Sequence, residues 1–274
     1  MKPRGLLIKK NRVLLYELVK TAFQLRYQGS FLGVLWSVLK PLLLFLVMYT
    51  VFVKFLRFTD GTPQYPIVLL LGISLWGFFS EATNVGMNSI VGRGDIVRKI
   101  NFPKYIIVLS AMMSSLISLS INLMVVVVAA LFTGIQFTPL ALLAPLGILQ
   151  LFIIAFGLSL FLSAMYVRFR DIGHIWDVIL QILFYAMPII YPLTMVANMK
   201  VFGVSVQEII MLNPVAQAIQ DVRHNLISPT TVPTTWSTIE NIWLSLVPIA
   251  ITAIILVVGV WYFSRNSKKF AEMM

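Results

Sequence analysis

Six stretches of the chain are long, nearly unbroken runs of apolar residues: 31–56, 66–90, 105–134, 141–167, 177–197 and 242–263. An α-helix rises about 1.5 Å per residue, so roughly 20 such residues cross about 30 Å of hydrocarbon. The pattern predicts six transmembrane helices. The first carries Lys40-Pro41 and is the least regular. Proline removes an internal hydrogen bond and favours a kink, and the lysine stem lets its ammonium reach toward headgroups.

Two segments outside these runs are patterned differently. In 6–28, Leu7, Val13 or Leu14, Leu18, Ala22 and Leu25 recur at helical spacing, with Lys10, Glu17, Lys20 and Gln24 between them. That pattern predicts an amphipathic helix lying in the interface, as an anchor or as a gate at a pore mouth. The longest loop, 198–241, contains Asn213-Pro214, which suits an N-cap followed by proline at the first helical position. Val215, Ile219, Val222 and Leu226 then form one apolar stripe. The resulting helix is too short to span and is expected to be re-entrant or interfacial. Before it, Pro188 and Pro192 break the end of the fifth run. Broken backbone at membrane depth is tolerated where it is buried in protein or lines a cavity. Residues 188–227 therefore point to an outer gate, with a surface cap over the bundle as the alternative.

Composition supports the membrane assignment. Of 274 residues, 59% are hydrophobic and 11% charged, against about a quarter charged in soluble domains. No composition shift divides the chain, which reads as one membrane domain, 1–274: an interfacial helix in 1–30, five spans in 31–197, an external loop in 198–241, and the sixth span with its tail in 242–274. The net charge is +11. If the N-terminus is cytoplasmic, sixteen Lys and Arg face the cytoplasm, and only Lys54, Arg57, Lys200 and Arg223 face outward. This bias predicts both termini inside. Orientation and contact with anionic lipid account for the charge, and no nucleic-acid partner is needed. The basic start runs into an amphipathic stretch, so no cleavable leader is expected. The absence of cysteine excludes disulfides and thiolate metal sites. His174 and His224 lie far apart in sequence, and no metal site is expected.

Catalytic patterns are missing. The chain has no G-x-x-x-x-G-K-[ST], no G-x-S-x-G and no H-E-x-x-H. Gly92-Arg93-Gly94-Asp95 is a turn in a cytoplasmic loop, and Ile96 to Ile100 can add one or two helical turns with Asp95 as N-cap. Glu81 is the one acidic residue placed well within a predicted span. Glu81, Asn84 and Asn88 share a helical face that should avoid lipid. Ser110, Ser114, Ser118 and Asn122 recur in steps of four on the third span. Both stripes fit either close helix packing or a hydrated path. Phe45, Tyr49 and Phe52 share a face of the first span, and Phe184, Tyr185 and Tyr191 cluster late in the fifth. Such rings serve either as interfacial belts or as stacking surfaces for sugars. Arg168, Arg170 and Asp171 form one compact charged cluster, read as an anchor for the fourth span.

The motif series resembles the membrane subunit of polysaccharide-exporting ABC transporters of the type 2 permease class. The matching stretches, in order, are Leu25-Arg26-Tyr27-Gln28-Gly29-Ser30 with Leu32-Gly33 and Leu35-Trp36, Lys40-Pro41-Leu42, Val97-Arg98-Lys99-Ile100-Asn101-Phe102-Pro103, Arg168-Phe169-Arg170-Asp171, Pro188-Ile189-Ile190-Tyr191-Pro192 and Leu212-Asn213-Pro214. Family members commonly have Asn where this chain has Lys40. The resemblance implies an all-α membrane protein that forms a homodimer and docks two copies of a cytoplasmic ATPase. ATP and Mg bind only through that partner, and no cofactor binds this chain. The expected cargo is a polysaccharide on undecaprenyl diphosphate, passing outward through the cytoplasmic or inner membrane.

The same resemblance implies a cytoplasmic gate around Tyr16, Lys20, Arg26, Tyr27 and Gly29. It implies a coupling helix at Gly94, Asp95, Ile96, Val97, Arg98 and Lys99. External re-entrant helices with Pro188, Pro192, Asn213, Pro214 and Arg223 would form the exit gate. Phe45, Tyr49, Phe52, Glu81, Asn84, Asn88, Tyr185 and Tyr191 are the candidate substrate path. Arg223, one of few external cations, is expected either to guide an anionic group or to pair internally with Asp221 or a helix end. Two other classes remain open at this point: a proton-coupled secondary transporter using Glu81, and a membrane glycosyltransferase or polymerase.

Overall fold

A computed structural model of the chain describes residues 9–27, 29–58, 60, 62, 64–99, 102–201 and 203–273. Helix dominates. The amphipathic segment is helix α1, Lys9–Tyr27. Gly29, at φ 75°, follows its end in the left-handed conformation that glycine adopts without cost. Helix α2, Trp36–Met48, continues through Pro41. The departure from α geometry expected at Lys40-Pro41 falls later, at Tyr49–Phe55, where the turns widen and the Leu56 amide donates to the Val51 carbonyl at 2.9 Å.

Helix α3 spans Tyr65–Asn88, and a single turn at Val91–Arg93 joins it to the short helix α4, Gly94–Lys99. Asp95 lies in the first turn of α4. It is therefore not the N-cap expected from the sequence, because the turn before it continues directly into the helix. Its charge still favours that helix end. Helices α5, Tyr105–Phe132, and α6, Ala144–Arg168, follow.

The fifth apolar run behaves differently from the others. Helix α7 covers Ile172–Ala186, starting earlier and stopping sooner than the predicted 177–197. Its fifteen residues reach only about 22 Å. Met187 is extended, with ψ 153°, because the ring of Pro188 disfavours helical backbone in the residue before it. Residues Met187 to Ile190 continue as buried, non-helical chain.

The loop after α7 then adds a small antiparallel hairpin, β1 Lys200–Val201 with β2 Val204–Ser205, which the hydrophobic pattern did not disclose. Helix α8, Val206–Met211, precedes α9, Pro214–Leu226. Short turns α10, Thr235–Thr238, and α11, Ile242–Ser245, lead to α12, Val247–Asn266, and to α13, Phe270–Met273. Among the described residues, five helical segments are long and apolar enough to cross a membrane: 33–55, 65–88, 105–132, 139–168 and 242–269. The shorter α7 is apolar as well.

The bundle is built around α3, which is buried along most of its length, and around α6. The most extensive pairings are α6 with α12, and α3 with α5 and α6. Without water to drive apolar association inside a bilayer, helices gain most from close approach, and small residues permit it. A Cβ on Gly259 would lie 2.1 Å from the Gly157 carbonyl oxygen, and one on Gly157 would lie 2.8 Å from that of Ile255. The two backbones of α6 and α12 therefore touch at glycine. Gly259→Val should lower the thermal midpoint of the detergent-purified protein by several degrees, corresponding to overpacking of about 1–3 kcal/mol. Gly77→Ala, facing open space, should not lower it, since alanine is favoured over glycine inside a helix. Tryptophan-fluorescence melts read both variants.

Candidate functional site

A cavity of about 800 Å³ opens between α2, α3, α5 and α7. Its polar wall combines Ser37 and Lys40 from α2, Ser80, Glu81 and Asn84 from α3, Ser115, Ser118 and Asn122 from α5, and Asp177 and Gln181 from α7. Trp36, Trp76, Phe184 and Tyr185 contribute aromatic surface, with Leu44, Met48 and Leu180 beside them. Lys40, Glu81, Asn84 and Asp177 each stand within about two turns of the helix end nearer α1 and α4. The cavity thus carries hydrogen-bonding groups of both signs and flat apolar faces. That combination suits a hydroxyl-rich molecule with apolar C–H surface.

Of the path residues read from the sequence, Glu81, Asn84 and Tyr185 line the cavity. Asn88 lies beyond it, donating to the Asn84 carbonyl at 2.8 Å. Phe45 and Tyr49 stack on each other, centroids 5.7 Å apart, and pack against the hydrophobic core. Phe52 packs near Phe58, and the Tyr191 hydroxyl donates to the Ala186 carbonyl at 3.0 Å. None of these four rings lines the cavity. Ser118 and Asn122 of the serine stripe reach it, whereas Ser110 and Ser114 do not.

Asp177 and Gln181 were not identified from the sequence. The signal was present, because His174, Asp177, Gln181 and Tyr185 follow helical spacing. Starting the span at 177 hid it. With α7 beginning at Ile172, Asp177 lies in the second turn, so a second carboxylate joins Glu81 on the apolar helices that form the cavity wall.

At the end carrying α4, Arg93 joins three elements. Its guanidinium donates to Ser110 Oγ on α5 and to the Leu18 carbonyl on α1, each at 3.4 Å. Burial pushes its pKa down, and the neighbouring Asp95 pushes it back up. Leu18 and Val97 are buried in the common core, and Ile96 packs against it. On α4, Gly94 is half-buried, and Asp95, Arg98 and Lys99 are exposed. On α1, Tyr16 and Lys20 are exposed, and the side chains of Arg26 and Tyr27 lie outside the described residues. Gly29 ends the helix as described above.

At the opposite end, Asn213 caps α9 as its sequence implied, accepting from the Val215 amide at 2.9 Å and the Ala216 amide at 3.5 Å. The stripe residues Val215, Ile219 and Val222 are buried, mainly against α6. Polar residues of α9 are drawn into the bundle, where most pair, while Asp221 Oδ1 and Arg223 Nε have no hydrogen-bond partner among the described residues. Gln150 donates to Gln217 at 2.8 Å, and Gln217 donates to Asp221 at 3.2 Å.

Arg223 is only 3% exposed. Its guanidinium donates to the Pro188 carbonyl and, at 2.7 Å, to the Ile189 carbonyl. The Tyr65 hydroxyl takes the next carbonyl, Ile190, at 2.7 Å. Gly72 makes room for the arginine, since a Cβ there would overlap its Nη2. The guanidinium therefore brackets the Pro188 break. It pairs with loop carbonyls and, at 3.2 Å, with Gln220 Oε1, not with Asp221 or a helix end. Pro192 borders a small crevice with Asp60, Tyr65 and Arg223.

This architecture is that of a helical membrane transport protein with a polar cavity set into its side. The chain belongs to the ABC-2 type transporter family, whose model matches residues 13–227. An O-antigen export system permease protein of Myxococcus xanthus is 32% identical over 187 residues, covering 68% of this chain and 71% of that protein. Two proteins of the same description from Klebsiella pneumoniae are 28% and 25% identical, each aligned over 95% of both chains.

Loss of the bracket should expose the segment it holds. Ile190 is 3% exposed, so Ile190→Cys in this cysteine-free chain should resist a membrane-permeant maleimide. Adding Arg223→Ala should raise the labelling rate on the order of tenfold or more, as freed buried carbonyls drive the segment toward water. Equal labelling in both backgrounds would show that the arginine does not hold the segment.

Proposed function

We propose that this chain is the pore-forming subunit of an ATP-driven exporter of cell-surface polysaccharide. The carrier would be undecaprenyl diphosphate, and the cargo would move from the cytoplasmic to the outer face. Two copies would form the pore, and each would dock one separate ATP-hydrolysing subunit, through which ATP and Mg act. The observation that carries this reading is the side-opening cavity, lined by carboxylates, amides, hydroxyls and aromatic rings. The names of the relatives, all O-antigen export permeases, support the same class of cargo.

In this reading both termini are cytoplasmic. The fifth crossing is α7 completed by the buried Met187–Ile190 chain, giving six crossings with α8 and α9 as re-entrant outer helices. Helix α1 is the cytoplasmic gate and α4 the coupling helix. Arg93 ties the two, so displacement of α4 by the ATPase would move α1. A polymer repeat entering from the α1 end would meet the Lys40, Glu81 and Asp177 groups first and the rings of Trp76 and Tyr185 later. Neutral sugar hydroxyls donate well to carboxylates, and their C–H faces lie on aromatic rings without covalent chemistry.

The test is surface display. In cells deleted for this chain, the wild-type permease with its ATP-binding subunit should restore surface polysaccharide, and a hydrolysis-dead ATP-binding subunit should not. Restoration without a functional ATPase would overturn the proposal. Arg93→Gln should cut export on the order of tenfold while leaving ATP hydrolysis by the complex nearly intact, as expected for a coupling contact worth roughly 1–3 kcal/mol. The double variant Glu81→Gln/Asp177→Asn should keep ATP-dependent export. If it instead abolished export and the wild type responded to a collapsed proton gradient at constant ATP, a proton-coupled mechanism would replace this one.

A further inference from the structure

After the last long helix, the chain folds back beneath the bundle. Phe270 is fully buried. It meets Phe263 edge-on, with centroids 5.4 Å apart and planes at 76°. The Lys104 ammonium sits 5.6 Å over the same ring and donates to the Ser267 carbonyl at 2.6 Å. So anchored, α13 packs against α4 and against α6. A tail that only marked the cytoplasmic side would need cations alone. This one is held in a fixed place by a buried ring, a cation–π contact and a charge-assisted hydrogen bond.

The fixed tail adjoins an exposed basic surface. Arg98 and Lys99 are exposed on α4, and Lys268 and Lys269 are exposed in the turn leading into α13. Helix α4 alone has six residues and is about 9 Å long, too small to supply by itself the roughly 800 Å² that each partner buries in a stable protein interface. We propose that α4 and the C-terminal tail form one composite docking surface, and that its partner is an acidic face of the ATP-binding subunit. The proposal rests on the exporter reading above and adds the tail to the interface. A protein partner fits better than lipid here. Anionic headgroups attract mobile cations without fixed geometry, whereas a charged protein interface needs its cations held in register.

The test uses the full-length permease co-expressed with its ATP-binding subunit and purified through a tag on the permease. Lys268→Glu/Lys269→Glu should lower the ATPase retained on the order of tenfold at physiological salt, the loss expected for an interface contact of hot-spot strength. Raising salt should weaken the wild-type complex in the same direction. Phe270→Ala should reduce retention too, and Phe270→Leu should recover most of it. The double-glutamate variant should remain monodisperse, because both lysines are solvent-exposed. Wild-type retention by the double-glutamate variant would overturn the proposal. So would a variant that keeps the ATPase but loses binding to phosphatidylglycerol vesicles. If the wild-type permease itself retained no ATPase, the exporter reading would fall along with this one, an outcome distinct from failure of the tail variants alone.

Discussion

Three successive carbonyls, those of Pro188, Ile189 and Ile190, set the terms for the half of this protein that holds α9. They belong to chain that has left helical geometry and lies buried, where an unpaired backbone group costs several kcal/mol. Arg223 satisfies two of them and Tyr65 the third. The arrangement requires that α9 be drawn into the bundle and that α3 present glycine at position 72. Asn213 and Pro214 then start α9 at the position that brings Arg223, nearly three turns on, over α3. A charged residue of α9 is thereby used as a structural bracket.

The same break shapes the other half. Because α7 ends at Ala186, it is a short helix that buries little of itself. Trp176 and Leu180 face inward, while Asp177, Gln181 and Tyr185 are left exposed along the cavity. Helix α2 is similarly uncovered, with Ser37 its single buried residue. A monomer in lipid would hold carboxylates and an ammonium at an open wall, at a substantial cost. In the proposed dimer, a second copy closing over α2 and α7 would remove that cost and convert an open wall into a lined passage. The two halves are linked mechanically through α3, which carries Gly72 near one end and leads into Arg93 and α4 at the other.

Much of this was legible in the sequence because bilayer crossing imposes a long apolar run that periodicity reads directly. The helices at 65–88, 105–132 and the apolar segments around them fell within a few residues of expectation. The Asn213 cap was legible for a local reason, since N-cap chemistry depends on neighbours in the chain. The start of α7 was not. Asp171 and Gly173 look like the end of a loop, yet Ile172 already begins the helix, and Asp177 was consequently overlooked as a cavity residue. The role of Arg223 was hidden for a different reason: its partners lie 34 and 35 positions away in sequence, and no local pattern encodes them. Which aromatic face lines the cavity was not legible either, because the tertiary packing of Phe45 and Tyr49 against the core decides which side of α2 the cavity uses.

The central claim is that the α2–α7 wall is half of a passage completed by a second copy. The natural chain has no cysteine, so a single Ile182→Cys, exposed on α7, reports only on what faces it. In membranes of exporting cells, mild oxidation should cross-link this variant into a dimer and arrest surface display, and a reductant should restore it. If Ile182→Cys stayed monomeric while a cysteine at exposed Val257 on α12 cross-linked readily, the two copies would meet on the opposite side, and the cavity would not be the passage.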